Sequence, residues 1–291
     1  MGLKTRPAIP FWKMTGSGND FILLDNRSGL LDAEQSRDLV RKSCRRKLSV
    51  GADGFIFIEN DPTVDFKWRF FNADGSEAEM CGNGARCAAR FAFLRGIVQQ
   101  PRISFRTRAG VIRAEILDER VRIQTTEPQS LRLDLALDGD GESFLLHFVN
   151  TGVPHAVLLL DDPEQLEEAD VERWGRTLRF HPHFQPAGTN VNFACVQDQG
   201  RLALRTYERG VEAETLACGT GSIAAALIAA AKNLVHSPVD VQTRSGETLT
   251  ISFVQHGEGF QEVYLEGDAK VVYEGLLWDE TLRTTFQSWF P

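Results

Sequence analysis

The sequence predicts an α/β protein built from two similar domains, and three observations support this. A cysteine followed by Gly-x-Gly and an alanine-rich run occurs twice, at Cys81 and Cys218, 137 residues apart in a chain of 291. The features around these cysteines recur in the same order at a near-constant spacing, which indicates an internal repeat. In both halves, apolar segments of strand length also alternate with segments of helical character.

Turn residues and apolar periodicity predict the elements of the first half. We expect strands at 21–24, 55–58 and 66–71, an amphipathic helix at 33–45, a helix after Cys81, and three short strands within 103–125. We predict that residues 1–10 form an extension without structure of its own.

The second half repeats this order. The segment 154–160 matches the segment that begins at Asn19 at an offset of 135, Gly188 matches Gly51 at 137, and the strand ending at Tyr207 matches the strand ending at Phe71 at 136. The run after Cys218 is apolar all round, which predicts a helix inside a core.

A repeat of this length predicts domains rather than turns of a solenoid. We therefore expect a first domain at 1–127 with Cys81, a second at 128–275 with Cys218, and a C-terminal helix at 276–291 that packs back on the first domain. Two related domains tend to meet about a pseudo-twofold axis, and ligands usually bind in the cleft between domains.

Composition excludes several functional classes. Apolar residues make up 42% of the chain and charged residues 25%, as in globular proteins, and the net charge of −8 argues against a nucleic-acid partner. The first residues lack the apolar stretch of a signal peptide, and no apolar run has the length of a membrane span. We expect a cytoplasmic protein that binds a small molecule and has no nucleic-acid or membrane partner.

The cysteine pattern predicts free thiols. Five cysteines are an odd number without the spacing of a disulfide framework. Cys44, Cys87 and Cys195 lack the Gly-x-Gly context, and we interpret them as core residues. The sequence contains no zinc-binding constellation and no phosphate or nucleotide fingerprint, so we expect neither a metal nor a cofactor.

The duplicated motif predicts a two-thiol isomerase. The helix after each cysteine presents unpaired backbone N–H groups and the positive end of its dipole, which favour a bound carboxylate. The same position should favour the thiolate and lower the pKa of Cys81 and Cys218 below about 8.5, the usual value for cysteine. A thiolate base and a thiol acid on opposite faces of one carbon would invert its configuration.

Five longer motifs resemble those of the diaminopimelate epimerase family, in the family's order. Two contain the cysteines: Asn72-Ala73-Asp74-Gly75-Ser76-Glu77 leading to Met80-Cys81-Gly82-Asn83-Gly84-Ala85-Arg86-Cys87, and Tyr207-Glu208-Arg209-Gly210 leading to Leu216-Ala217-Cys218-Gly219-Thr220-Gly221. The others are Gly18-Asn19-Asp20-Phe21, Gly51-Ala52-Asp53-Gly54 and Gly188-Thr189-Asn190-Val191-Asn192-Phe193. The resemblance extends from about residue 11 to about residue 275.

The resemblance implies a fold and an activity. The fold is two pseudo-symmetric α/β domains, each a strand barrel around a central helix, with the active site in the interdomain cleft. The activity interconverts LL- and meso-diaminopimelate without pyridoxal phosphate, in the synthesis of lysine and of peptidoglycan precursors. A homodimer is the assembly that the family suggests.

The resemblance also implies roles for individual residues. Cys81 and Cys218 match the acid/base pair, and His155 and Glu208 match positions that tune the thiols. The residues that match substrate-binding positions are Asn19, Asn72, Gly82, Asn83, Asn190, Glu208, Arg209, Gly219 and Thr220.

Two other functions are compatible with parts of the pattern. A proline or hydroxyproline racemase also uses two cysteines, but its substrate has one carboxylate and would leave Arg209 without a distal group to bind. A non-enzymatic amino-acid-binding protein would not need a titratable pair of thiols. The sequence leaves open which cysteine is the base toward the LL isomer.

Overall fold

The computed structural model describes residues 8–198, 200–257 and 259–278, which form two compact units. The first unit contains Met1–Val121 and Asp268–Pro291, and the second contains Arg122–Gly267. In chain order the described elements are β1 (Ile9–Gly16), β2 (Asn19–Asp25), α1 (Ala33–Ser43), β3 (Gly54–Glu59), β4 (Phe66–Asn72), β5 (Glu77–Ala78), α2 (Gly82–Leu94), β6 (Arg102–Thr107), β7 (Gly110–Leu117), β8 (Arg120–Gln124), β9 (Gln129–Gly139), β10 (Glu142–Asn150), β11 (Pro154–Leu160), α3 (Pro163–Glu168), α4 (Val171–Arg179), a 3₁₀ turn (Pro182–Phe184), β12 (Asn190–Asp198), β13 (Arg201–Glu208), β14 (Ala213–Thr215), α5 (Gly219–Ala231), β15 (Val239–Gln242), β16 (Thr248–His256), β17 (Gly259–Asp268) and β18 (Lys270–Leu277).

The first unit is a sheet that packs around one helix. Strands pair in the order β18, β1, β2, β3, β4, β6, β7, with parallel pairs at β2–β3 and β4–β6 and antiparallel pairs elsewhere. Helix α2 contacts β1, β2, β3 and β7. Its residues from Asn83 to Ala89 are all buried, because small alanine side chains let the strands approach the helix closely.

The second unit has the same pairing pattern. Strands β9, β10, β11, β12, β13, β15 and β16 follow one another, and the parallel pairs are again the third and fifth, β11–β12 and β13–β15. Helix α5 contacts β10 to β13, β15 and β16, and its residues from Gly221 to Ala230 are all buried. The predicted fold class, two similar α/β domains each with strands around a central helix, is confirmed.

The observed units begin and end at other residues than the predicted domains, and one long-range strand pair is part of this difference. Strand β18 pairs with β1, so that Ile9 lies opposite Leu277 and Pro10 opposite Leu276. The prediction that residues 1–10 lack structure is therefore wrong for Ile9 and Pro10. The units divide at Val121/Arg122 and Gly267/Asp268, whereas the predicted boundaries follow residues 127 and 275.

The predicted C-terminal helix at 276–291 lies almost entirely outside the described residues. Leu276 and Leu277 belong to strand β18, and residues 279–291 are not described. Within the described ranges, no helix combines the length and the apolar character needed to cross a membrane.

Candidate active site

Cys81 and Cys218 occupy equivalent places in their units, each as the N-cap residue of the central helix. Both have extended backbone, with φ −147° and ψ 118° at Cys81 and φ −127° and ψ 109° at Cys218. The carbonyl of Cys81 accepts the first hydrogen bond of α2, from Ala85 N at 2.8 Å, and that of Cys218 accepts the first of α5, from Ser222 N at 2.9 Å. The N–H groups of the first helical residues therefore have no carbonyl acceptor within either helix, and in α5 the N–H of Gly221 donates to the side chain of Cys218 instead.

Those N–H groups belong to predicted carboxylate-binding residues. Gly82 and Asn83 open α2, and Gly219 and Thr220 open α5. The helix dipole adds positive potential at both places. The structure thus brings each predicted pair directly beside its cysteine, which is partly buried for Cys81 and buried for Cys218.

The pKa predicted for Cys218 from the sequence is wrong in its direction. Burial raises the pKa of this thiol to about 12, and the negative charge of Glu208 acts in the same direction. The N–H of Gly221, which donates to Cys218 Sγ at 3.3 Å, lowers the pKa but does not compensate. Loss of hydration of the thiolate outweighs the helix N-terminus here.

Gly221 brings Cys218 and Asn192 against the same turn of α5. A Cβ atom at Gly221 would collide with Asn192 Oδ1 and would lie 3.2 Å from Cys218 Sγ. Asn192 is fully buried. Only glycine lets these two polar side chains share this position.

His155 is buried next to this cluster and is neutral near pH 7. Its Nδ1 lies 3.0 Å from Asn192 Nδ2, and its Nε2 has no hydrogen-bond partner among the described residues. Burial, reinforced by the charge of Arg209, lowers the pKa of His155 to about 3. An imidazole with one unpartnered nitrogen is consistent with a role toward a ligand.

The buried His155 should make the free energy of unfolding fall as the pH is lowered from 6.5 toward 3. In this range the unfolded chain binds a proton at His155 and the folded chain does not, because the folded pKa is about 3 and the unfolded value about 6.5. Each pH unit then costs up to about 1.4 kcal/mol. In His155→Gln the free energy of unfolding should depend less on pH, as measured by urea unfolding between pH 6.5 and about pH 4.

The matched control is His147→Gln, at a second buried histidine whose pKa is also lowered by burial but is opposed by Asp134. Its effect on the pH dependence should be smaller. Equal pH dependence in His155→Gln and the unmodified chain would contradict the buried neutral imidazole.

Asn190 and Arg209 are held together in the second unit. Asn190 Oδ1 accepts the backbone N–H of Arg209 at 2.9 Å, and Asn190 Nδ2 donates to Pro154 O at 3.0 Å. The Arg209 guanidinium donates to Ala187 O at 2.9 Å. Because Pro154 precedes His155, these bonds tie the predicted binding residues to the histidine.

Glu208 is partly buried at the end of β13. Burial raises the pKa of its carboxyl group, and Thr215 acts in the opposite direction. A nearby cation, such as the ammonium group of an amino acid, stabilises the ionised form of a carboxyl group in this environment.

In the first unit, Asn19 and Asn83 belong to a chain of hydrogen bonds with a fixed direction. The Arg86 guanidinium donates to Asn83 Oδ1 at 3.0 Å, Asn83 Nδ2 donates to Asn19 Oδ1 at 2.8 Å, and Asn19 Nδ2 donates to Asp53 Oδ2 at 3.1 Å. An arginine can only donate and a carboxylate can only accept. The two ends therefore fix the orientation of both amide groups.

Charged neighbours hold the acceptor end of this chain. Arg46 donates to Asp53 Oδ1 at 2.8 Å and to Asp20 Oδ1 at 2.6 Å, and Lys13 lies 2.8 Å from Asp20 Oδ2. Burial raises the pKa of Asp20, but the hydrogen bonds from Arg46 and Lys13 outweigh it and lower the pKa to about 2. Asp20 therefore stays ionised beside Asn19 near pH 7.

Asn72 is exposed at the end of β4, just before the turn to β5. Its Nδ2 donates to Ser76 Oγ at 3.0 Å. Its strand partner is Gly54, and the next residue, Ala73, donates its N–H to Asp53 O at 3.1 Å. These contacts place Asn72 beside the Asp53 end of the same hydrogen-bond chain.

Three residues around the predicted site were not assigned a role from the sequence: Arg86, Asp53 and Asn192. Arg86 and Asn192 are both fully buried, which is uncommon for these polar residue types. A signal was present for Asp53, because it stands 137 residues before Asn190 in the repeat. No group of three or more His, Cys, Asp or Glu side chains within the described ranges is arranged to hold a metal ion.

Solved structures of two other proteins share this fold. A PhzF-family phenazine biosynthesis protein from Bacillus anthracis matches with a TM-score of 0.71 at 16% identity, covering 94% of this chain and 99% of that chain. A probable proline racemase from Agrobacterium radiobacter K84 matches with a TM-score of 0.62 at 18% identity, covering 92% of each chain. These similarities define the class: the fold shared by PhzF-family proteins and proline racemases.

Sequence relatives define the family within that class. The diaminopimelate epimerase family model matches residues 11–131 and 147–272. Proteins named diaminopimelate epimerase include one from Aquifex aeolicus at 49% identity, covering 94% of this chain and 100% of the relative, and one from Chlorobaculum tepidum at 42%, covering 91% and 99%. The chain belongs to the diaminopimelate epimerase family.

Proposed function

We propose that this protein interconverts LL- and meso-diaminopimelate by moving one proton at an α-carbon, with Cys81 and Cys218 as the acid/base pair. The observation that supports this best is that both cysteines are the N-cap residues of equivalent helices. Each thiol stands beside backbone N–H groups that suit an α-carboxylate. Inversion at one carbon needs a proton acceptor and a proton donor, and a pair of thiols supplies both.

The helix N-termini are also suited to the charge that develops during proton removal. Loss of the α-proton moves negative charge onto the carboxylate of the reacting centre. Gly82 and Asn83 from α2, with Gly219 and Thr220 from α5, would donate N–H groups to this carboxylate and stabilise the charge more in the transition state than in the ground state. The donors belong to rigid helices, so little reorganisation is needed.

The protonation state of Cys218 suggests the division of roles in the free enzyme. Because burial and Glu208 hold its pKa near 12, Cys218 is a neutral thiol near pH 7 and is ready to donate a proton. Cys81 would then be the acceptor in that direction, and the roles reverse for the other isomer. A substrate ammonium beside Glu208 would offset the negative charge that raises the pKa of Cys218.

The remaining residues would bind the distal amino-acid end of the substrate. Arg209 can form a bidentate ion pair with a distal carboxylate. Asn19, Asn72 and Asn190 supply amide groups for the distal ammonium and carboxylate, and Glu208 can bind an ammonium group. His155 would tune the thiols, together with Glu208.

The test is solvent exchange. LL-diaminopimelate incubated with the reduced protein in deuterated water should gain one deuterium at an α-carbon and yield the meso isomer, without an added cofactor. Proline is the comparison substrate, because a proline-racemase activity is the alternative that the fold allows. Exchange of proline but not of diaminopimelate would overturn the proposal in favour of that alternative.

We also propose, from the family resemblance, a cytoplasmic homodimer that acts in lysine and peptidoglycan-precursor synthesis. Sedimentation equilibrium of the full chain tests the assembly. A single species at the mass of one chain, 32.5 kDa, would contradict the dimer.

A further inference from the structure

We propose that Asn192 is a positioning residue that fixes the tautomer of His155, so that this histidine presents an N–H group rather than a lone pair to a bound acceptor. The inference concerns the hydrogen-bond geometry of the free protein, and only its consequence for turnover depends on the proposed function. It rests on three contacts of Asn192 and on one unpartnered nitrogen of His155, all within the second unit.

The orientation of the Asn192 amide is fixed by its partners. Its Nδ2 donates to the carbonyl oxygen of Ala156 at 2.9 Å, and a carbonyl can only accept. Its Oδ1 accepts from the Thr206 hydroxyl at 3.0 Å. The reverse orientation would bring two acceptors together at Ala156, so the NH₂ group must face the Ala156 and His155 side.

The same NH₂ group determines the protonation of the imidazole. Asn192 Nδ2 lies 3.0 Å from His155 Nδ1, so Nδ1 is the acceptor and carries the lone pair. A neutral imidazole with its lone pair on Nδ1 has its proton on Nε2. Full burial and the nearby positive charge of Arg209 keep the ring neutral.

The Nε2–H group is the unsatisfied part of this arrangement. His155 is fully buried, and its Nε2 has no partner among the described residues. A buried donor without an acceptor costs about 1–3 kcal/mol. Such a donor is suited to an acceptor that is present when a ligand is bound. An N–H group interacts best with an anionic acceptor, such as a carboxylate or a thiolate. While Nδ1 is held as an acceptor, Nε2 already carries a proton and therefore cannot take one from a thiol.

The fold itself does not require a polar residue at this place. Ile56 is the counterpart of Asn192, because it pairs with Phe70 as Asn192 pairs with Thr206, and it is fully buried in the first unit. There, the atom nearest to a Cβ built on Gly84, the counterpart of Gly221, is the apolar Ile56 Cδ1 at 3.2 Å. The first unit fills the equivalent region with apolar side chains, so Asn192 has a role that packing alone does not explain.

The test is ¹⁵N NMR of the full chain labelled at histidine, with the His155 signals assigned by comparison with His155→Gln. The expected pattern is one protonated Nε2 and one unprotonated Nδ1. In Asn192→Asp the carboxylate can only accept, so Nδ1 should become protonated, as the other tautomer or as the imidazolium. A wild-type pattern with the proton on Nδ1 would overturn the proposal, as would an unchanged pattern in Asn192→Asp.

Two further variants separate positioning from a general loss of structure. Thr206→Val removes the bond to Asn192 Oδ1 but leaves both amide N–H groups, so the tautomer should be kept. Asn26→Ala removes another buried asparagine, in the first unit, and should leave the His155 signals unchanged. A changed tautomer in either variant would overturn the proposal.

The consequence for turnover is measured separately. Asn192→Asp should lower kcat for deuterium exchange into diaminopimelate by about a hundredfold, the size expected when one transition-state donor is lost. An NMR result as expected in a protein that exchanges no substrate would refute the proposed function and leave the tautomer assignment intact. Unchanged kcat in Asn192→Asp with a switched tautomer would overturn the role of the N–H donor.

Discussion

Replacing Cys81 or Cys218 by serine should slow the inversion of diaminopimelate by at least about a thousandfold, because each variant lacks one of the two groups that we propose to move the proton. A hydroxyl has nearly the shape of a thiol but does not ionise near neutral pH. In the proposed mechanism each thiol needs the other, because one takes the proton and the other returns it. The effect should appear in kcat for inversion, measured as the conversion of LL- to meso-diaminopimelate.

The matched control is Cys195→Ser. Cys195 is fully buried in the second unit, and its Sγ donates to Val196 O at 3.5 Å, so a serine hydroxyl can make the same contact. It should retain nearly normal turnover while losing about 1 kcal/mol of unfolding free energy. Turnover within threefold of normal in either Cys81→Ser or Cys218→Ser would remove the two-thiol mechanism.

Gly221→Ala should have the second largest effect. The added methyl group would collide with Asn192 Oδ1 and press on Cys218 Sγ, which lies 3.2 Å from the Cβ position. We expect a loss of about 1–3 kcal/mol of unfolding free energy from overpacking. Displacing the thiol by about 1 Å should lower kcat by about a hundredfold. Urea unfolding and inversion assays on the same preparation measure both.

Gly84→Ala is the equivalent change in the first unit. The nearest atoms to a Cβ there are Ile56 Cδ1 at 3.2 Å and Phe21 Cε1 at 3.5 Å, and the Ile56 side chain can move slightly. Alanine also has a higher helix propensity than glycine, by about 1 kcal/mol, so the two effects nearly cancel. Equal losses in Gly84→Ala and Gly221→Ala would show that helix disturbance, rather than the Cys218–Asn192 contact, explains the result.

Much of the fold could be predicted from local patterns. Strand β3 and helix α5 could be predicted because each has a local pattern, an apolar run in β3 and an alanine-rich run in α5. Such a pattern can be recognised within a single segment of the sequence. The repeat also predicted that Cys81 and Cys218 are equivalent. The pairing of β1 with β18 could not be predicted, because it joins residues at opposite ends of the chain and neither strand shows its partner.

Some features of the candidate site could likewise be predicted from the sequence, and others could not. The sequence by itself determined which residue types surround each cysteine, because the motifs are contiguous and their helix N-termini follow from local structure. Only the tertiary structure decided the protonation of Cys218, because its pKa depends on how much water the fold excludes and on where Glu208 lies. The fixed amide orientations of Asn83 and Asn192 likewise depend on partners distant in sequence, Asn19 and Ala156, since hydrogen-bond direction depends on which donors and acceptors the fold brings together.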